Sequence, residues 1–190
     1  MAYTTIKKPS DYFNTKLYTG TGSSNAITGV GFQPDFTWIK QRSNAENHAL
    51  FDAVRGVTKY VKSDETASEV TEASSLSAFG TDGFTVVSSG KTNTSGRTYA
   101  SWNWLANGAG AANTDGTISS TVSANTTSGF SIVSWTGNGS AGATVGHGLG
   151  STPKMIIVKR RNTAAQWNVY HESLGNTGAL YLNDTRTFNV

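Results

Sequence analysis

The chain is 190 residues long, 36% hydrophobic and 14% charged, with 11% aromatic residues, 21 glycines, no cysteine and a net charge of +3. It is too apolar and too aromatic for a disordered chain, and the lack of cysteine excludes a disulfide framework and thiolate metal sites. No apolar run approaches the about 18 residues of a membrane span, and the opening Met1-Ala2-Tyr3-Thr4-Thr5-Ile6 lacks the apolar core of a secretory signal.

Abundant Gly, Ser, Thr and Asn suit a β-rich protein with many turns. Residues 1–15 are polar, carry Lys7, Lys8, Pro9 and Asp11, and read as an N-terminal arm. A strand begins at Leu17-Tyr18 and runs into a Gly-x-Gly turn. Residues 27–32 follow, then a proline-led strand at residues 34–42, since proline at a strand start removes no ladder bond. After the polar turn at residues 43–47, residues 48–54 read as its antiparallel neighbour, because the connection is short.

Arg55-Gly56 breaks that strand, residues 57–61 alternate apolar with polar, and residues 63–75 read as either a helical turn or an exposed loop. Strands are expected at residues 84–87 and 98–105. Alternation on the second places Trp102 and Trp104 on one face and Tyr99 on the other. Residues 106–116 are small and polar and read as a linker. Beyond it, residues 117–122 and 130–135 pair around a turn at 125–129, and strands follow at 153–161, 166–171 and 179–182.

Much of this is written twice. Tyr18-Thr19-Gly20-Thr21-Gly22-Ser23 matches Trp135-Thr136-Gly137-Asn138-Gly139-Ser140 at an offset of 117 residues, which also carries Gly29 and Gly31 onto Gly146 and Gly148. Pro34-Asp35-Phe36-Thr37-Trp38-Ile39-Lys40 then matches Pro153-Lys154-Met155-Ile156-Ile157-Val158-Lys159 at an offset of 119, and Gly56 meets Gly175. Each proline opens an apolar run bounded by turn formers, the pattern of a buried strand. The chain therefore reads as an internal duplication: an arm at 1–15, a first β-sandwich repeat at 16–105, a linker at 106–116 and a second repeat at 117–190 that lacks its last third. An unfinished sandwich exposes unpaired backbone at an edge, so the chain is expected either to be cut short or to have its second half completed by another copy or a neighbour.

Catalytic chemistry finds little footing. His48, His147 and His171 are the only histidines, and nothing in their spacing makes them converge. There is no G-x-S-x-G elbow, and Gly146-His147-Gly148-Leu149-Gly150 lacks the helix and Lys-Ser/Thr of a phosphate loop. Asp82 and Asp115 each precede a glycine and read as turn formers, and Asp52 with Arg55 reads as a structural ion pair. No catalytic, cofactor or metal residue is assigned.

The charge excess sits in the second half, chiefly in the cluster Lys159, Arg160 and Arg161, too small for the basic stripe of a nucleic-acid site. Trp104, Trp135 and Trp167 are candidate glycan or partner contacts, with burial in a core as the competing reading for each tryptophan.

Tyr18-Thr19-Gly20-Thr21-Gly22, Gly31-Phe32-Gln33-Pro34-Asp35-Phe36, Phe51-Asp52-Ala53-Val54-Arg55-Gly56, Asp82-Gly83-Phe84-Thr85 and Tyr99-Ala100-Ser101-Trp102-Asn103-Trp104 together resemble a repeat found in virion structural proteins of tailed bacteriophages, marine and cyanobacterial ones especially. The resemblance covers roughly residues 3–190. It implies an all-β, antiparallel sandwich of lectin or jelly-roll type in a tail fibre, tail appendage or capsid decoration. It also implies a non-enzymatic protein of the virion without cofactors. Its expected partners are copies of itself, a trimer favoured, and other virion proteins. A receptor-binding module holding host-surface polysaccharide on exposed aromatics is the alternative.

Overall fold

The computed structural model describes residues 6–186. The first five residues of the expected arm lie outside the described residues. In the first repeat the strands are β1 (Phe13–Thr19), β2 (Asn25–Ile27), β3 (Phe36–Gln41), β4 (Ala49–Asp52), β5 (Lys59–Tyr60), β6 (Val70–Thr71), β7 (Leu76–Gly80), β8 (Gly83–Val86) and β9 (Thr98–Trp104). The second carries β10 (Ala111–Asn113), β11 (Ser120–Asn125), β12 (Phe130–Trp135), β13 (Met155–Lys159), β14 (Trp167–His171) and β15 (Gly175–Tyr181). The fold is all-β, and every paired strand runs antiparallel.

The first repeat is a sandwich. A four-stranded sheet ordered β1-β9-β3-β4 faces a three-stranded sheet ordered β2-β8-β7. Its inner layer follows from period-two alternation: Thr37, Ile39, Tyr99, Ser101 and Asn103 are buried while their neighbours on β3 and β9 are half-buried. Ile39, Phe51 and Tyr99 meet Ile27, Leu76, Phe84 and Val86 across the layers, each large apolar side chain contributing about 1.5–3 kcal/mol by leaving water. The expected opposition of Tyr99 to Trp102 and Trp104 holds.

Two expectations change, and one open choice is settled. The arm is ordered from a 3-10 turn at Pro9–Asp11, and β1 starts at Phe13 rather than Leu17, paired with β9 along its length. Residues 63–75 hold turns and the short β6, with no helix. The stretch read as a linker contains β10, which pairs with β11, and Ala106 at its start is buried. Small side chains that read as flexible spacing serve close backbone approach there: a Cβ on Gly110 would lie 2.6 Å from the Val122 carbonyl oxygen.

The duplication is visible in the ladders. Phe36 opposes Asp52 and Trp38 opposes Leu50 in the first repeat, and Met155 opposes His171 and Ile157 opposes Val169 in the second. The bridge between Leu50 and Val61 reappears as Val169 opposite Leu180. Gly22 and Gly139, Gly31 and Gly148, and Gly56 and Gly175 share left-handed φ values between 70° and 93°, a conformation open chiefly to glycine. The second repeat differs in what stands beside these strands. β12, the counterpart of β1, closes the sheet β10-β11-β12, and β13, the counterpart of β3, closes the sheet β13-β14-β15.

Candidate functional site

No side-chain constellation with catalytic geometry forms among the described residues, and no group of three or more His, Asp or Glu is placed to hold a metal ion. His48 Nδ1 accepts a hydrogen bond from Trp38 Nε1 at 2.7 Å, and His171 Nδ1 faces Ser173 Oγ at 2.6 Å, so each is engaged locally. Burial lowers the His48 pKa, with Lys40 acting in the same direction against the opposing charge of Asp64. Asp82 accepts from the Gly29 and Gly31 amides at 2.9 and 2.7 Å, holding the repeated glycine turn. These two amides hold its pKa down.

What the fold does build is a seam between the repeats and, next to it, an uncovered sheet. The outer face of β3 and β4 receives the outer face of β14. Trp167 is 5% exposed against Leu50, Val61, Phe36 and Trp38, and its Nε1 donates to the Lys62 carbonyl at 2.7 Å. Trp104 is enclosed by three phenylalanines, with ring centroids 4.8 Å from Phe13, 5.3 Å from Phe36 and 5.9 Å from Phe130, the last contributed by β12. Two of the three candidate tryptophans are therefore internal anchors. Trp135 alone stays open, at 40% exposure.

The basic cluster divides as well. Lys159 Nζ donates to the carbonyls of Thr66 and Ala165 at 2.7 and 2.6 Å and lies 5.9 Å from the Trp167 ring centroid. Arg161 holds both oxygens of Glu69, at 2.9 and 3.1 Å, and reaches Ser134 Oγ on β12 at 2.8 Å. Arg160 is exposed. Glu69 in turn meets Arg55 Nη1 at 3.2 Å, and Arg55 closes on Asp52 with both side chains almost fully buried. Arg55 also donates to the Leu50 carbonyl at 2.8 Å. Burial pushes the Glu69 pKa up, but hydrogen bonds and charge from Arg161 and Arg55 outweigh it and hold the group below the usual carboxylate value. The expected Asp52–Arg55 pair is thus the inner end of a chain of charges running across the seam.

A second latch lies at the exit of β9. Asp35 is buried and its Oδ2 accepts the Ala106 amide at 2.8 Å. The next residue, Asn107, donates its amide to Ser123 Oγ at 2.8 Å. Neither Asp35 nor Glu69 stood out in the sequence. The exchange of Asp35 for Lys154 between matched proline-led strands was a usable signal; Glu69 lies 92 residues from Arg161 and gave none.

Beyond the seam, the inner face of β13-β14-β15 lines an open cleft of about 480 Å³ bounded by Pro153, Ile156, Val158, Asn168, Tyr170 and Ala179. Its counterparts at Thr37, Ile39, Ala49 and Phe51 are fully buried. Ile156 on this face is 43% exposed, and Met155 and Ile157 on the opposite face of β13 are 53% and 42% exposed. An uncharged concave sheet of this kind suits a polypeptide or another sheet better than a charged small molecule.

Among the described residues no helix is long and apolar enough to cross a membrane. No curated protein and no solved structure matches the chain. Residues 8–189, which span both repeats, match the model of a domain family of unknown function, DUF7483, and the chain belongs to that family.

Proposed function

We propose that the chain is a non-enzymatic structural protein of a bacteriophage particle, displayed on a tail fibre, a tail appendage or as a capsid decoration, and that it works by association. The observation that carries the associative part is the second repeat: a sheet duplicated in register from a fully covered one, with its apolar inner face and one edge left open. Exposed apolar surface of this kind marks interaction sites. The virion setting rests on the resemblance of the repeated residues to phage structural proteins. A homo-oligomer, a trimer first, belongs to the same proposal, as does residence on the virion after assembly in the host cytoplasm.

Particles banded on a density gradient and analysed by mass spectrometry test the setting. The chain is expected in the particle fraction in many copies; recovery only from the soluble lysate overturns the proposal. Light scattering of the purified chain reads the oligomer directly.

Trp135 supports a second reading, in which the chain binds host-surface polysaccharide, because an exposed indole offers a stacking face for sugar. Trp104 and Trp167 do not serve that reading, since both are engaged within the seam. Binding on a glycan array that is lost in Trp135→Ala supports it; an array without signal removes it.

A further inference from the structure

The two open edges of the second repeat correspond to the two neighbours of one strand that is absent among the described residues. In the first repeat β9 lies between β1 and β3 and is antiparallel to both. Their counterparts β12 and β13 each end a sheet. The free side of β13 has its backbone groups turned outward. The Glu172 amide donates to Lys154 O, as the Ala53 amide does to Asp35 O, so β13 residues in step with Lys154, Ile156 and Val158, bond to β14. Met155 and Ile157 then present N–H and C=O to the empty side, as Phe36 and Trp38 present theirs to β9 in step with the Arg42 amide on Thr98 O, while past the end of β13 the Arg161 carbonyl accepts the Glu69 amide of the first repeat at 2.8 Å.

Side chains and glycines repeat the message. Tyr18 stacks on Tyr99 of β9 at 5.0 Å and donates to the Thr92 carbonyl at 2.7 Å; its counterpart Trp135 is exposed. Gly20 is obligatory because a Cβ there would lie 2.2 Å from Thr94 O, in the turn leading into β9. Gly137 occupies the matching place with nothing within 4 Å, and Gly139, matched to Gly22 beneath Ser95, is equally unobstructed. The second repeat keeps the clearance for a turn that no described residue fills.

The geometry points to a strand-acceptor site between β12 and β13, which takes an uncharged extended polypeptide segment from outside the described residues, alternating aromatic with small polar residues, antiparallel to both strands. This deepens the associative reading above and rests on it. The chemistry of the occupant follows from β9 and from the site. Thr98–Trp104 carries no charge, and neither do the residues lining the cleft, so a charged residue facing inward would be desolvated without a partner. A second copy fits this slot poorly, so the homo-oligomer proposed above forms through other surfaces. The copy's own β9 is already bonded on both edges. Joining two β13 edges would share only a five-residue ladder, about 17 Å long at ~3.3 Å per residue, where a stable dimer buries roughly 1,200–2,000 Å². Strand addition draws its affinity from main-chain bonds and its specificity from alternate side-chain pockets.

The test is a titration of the purified full chain with a synthetic peptide spanning residues 96–106, read by Trp fluorescence and amide hydrogen exchange. Saturable one-to-one binding is expected, with at least tenfold slower exchange in both β12 and β13. A peptide of the same composition in scrambled order should not bind. Ile157→Pro, which removes one outward N–H, and Trp135→Ala, a change at an exposed side chain, should each weaken binding at least tenfold. Protection of β13 alone, together with a concentration-dependent dimer, would overturn the proposal in favour of a second copy. Absence of saturation at millimolar peptide overturns it outright. Peptide binding by a chain missing from particles would leave the acceptor site standing and remove only the virion setting; a chain present in particles without peptide binding would do the reverse.

Discussion

The same ladder of proline-led strand and antiparallel neighbour exists twice in this molecule under opposite conditions. In the first repeat Thr37, Ile39, Ala49 and Phe51 lie under β2-β8-β7 and are 0% exposed. In the second the counterparts Ile156, Val158 and Tyr170 face an open cleft. The second sheet is held chiefly from its other side, by Trp167 against the first repeat. One register is thus maintained by a two-sided core in one place and by a one-sided seam in the other. The pairing survives the loss of its cover; the stability derived from that cover should not.

The largest test of that contrast compares matched inner-face aromatics. Phe51→Ala should cost about 3–5 kcal/mol in denaturant unfolding, as a large cavity in a closed core does. Tyr170→Ala, at the corresponding position, should cost less than about 1 kcal/mol, because the removed ring opens onto water and leaves no cavity. Equal losses at the two sites would show that the second inner face is covered in solution.

The ion chain gives the next contrast. Arg55→Ala leaves the buried Asp52 carboxylate without its cation and Glu69 with Arg161 alone, a change expected to cost about 3 kcal/mol. Leu174, which matches Arg55 in the second repeat, is 41% exposed, and Leu174→Ala should stay within about 0.5 kcal/mol. The pH dependence follows from Glu69, whose folded pKa lies below its model-peptide value of 4.5. Its contribution is complete above pH 4.5 and declines as pH falls through the lower folded value. Glu69→Gln should flatten that acid limb.

Glycine separates the repeats with the least chemistry. Gly20→Ala places a methyl against Thr94 O and should cost about 1–3 kcal/mol through backbone displacement. Gly137→Ala meets nothing and should change stability by less than about 0.5 kcal/mol. Thermal unfolding of the two variants side by side is sufficient.

Which parts were legible in the sequence follows from the range of the interactions involved. β3, β4, β8 and β9 were readable because apolar alternation and punctuation by Pro34, Gly56 and Gly83 are local signals. The duplicated register was readable because one segment predicts the other. β1 was placed too late because Asn14, Thr15 and Lys16 make a half-exposed strand look like an arm, and β10 was hidden by small residues that serve close contact. The seam was illegible: Trp104 and Trp167 differ from an exposed tryptophan only in partners, and the Lys62 carbonyl that takes the Trp167 indole lies 105 residues away. That β12 and β13 correspond to β1 and β3 could be read from the matched segments. The pairing of β12 with β11, which fixes which edge stays open, could not.

The smallest effect concerns His48, which the first repeat places where the second has Trp167. Both rings sit on the same strand position, but Trp167 fills the seam while His48 accepts from Trp38 and must stay neutral at Nδ1 to do so. Because burial lowers its folded pKa below 6.5, the unfolded chain takes up the proton first. The stabilisation is therefore complete above pH 6.5 and is lost as pH falls from there through the folded value, below which it stays constant. Partial exposure limits the effect to roughly a few tenths of a kcal/mol. His48→Asn keeps an acceptor near the Trp38 indole and removes the titration, so its stability should be flat across this range while the parent slopes. A parent without slope would mean that the Trp38 contact tolerates the charged ring, and that only the seam side of this strand position demands a neutral occupant.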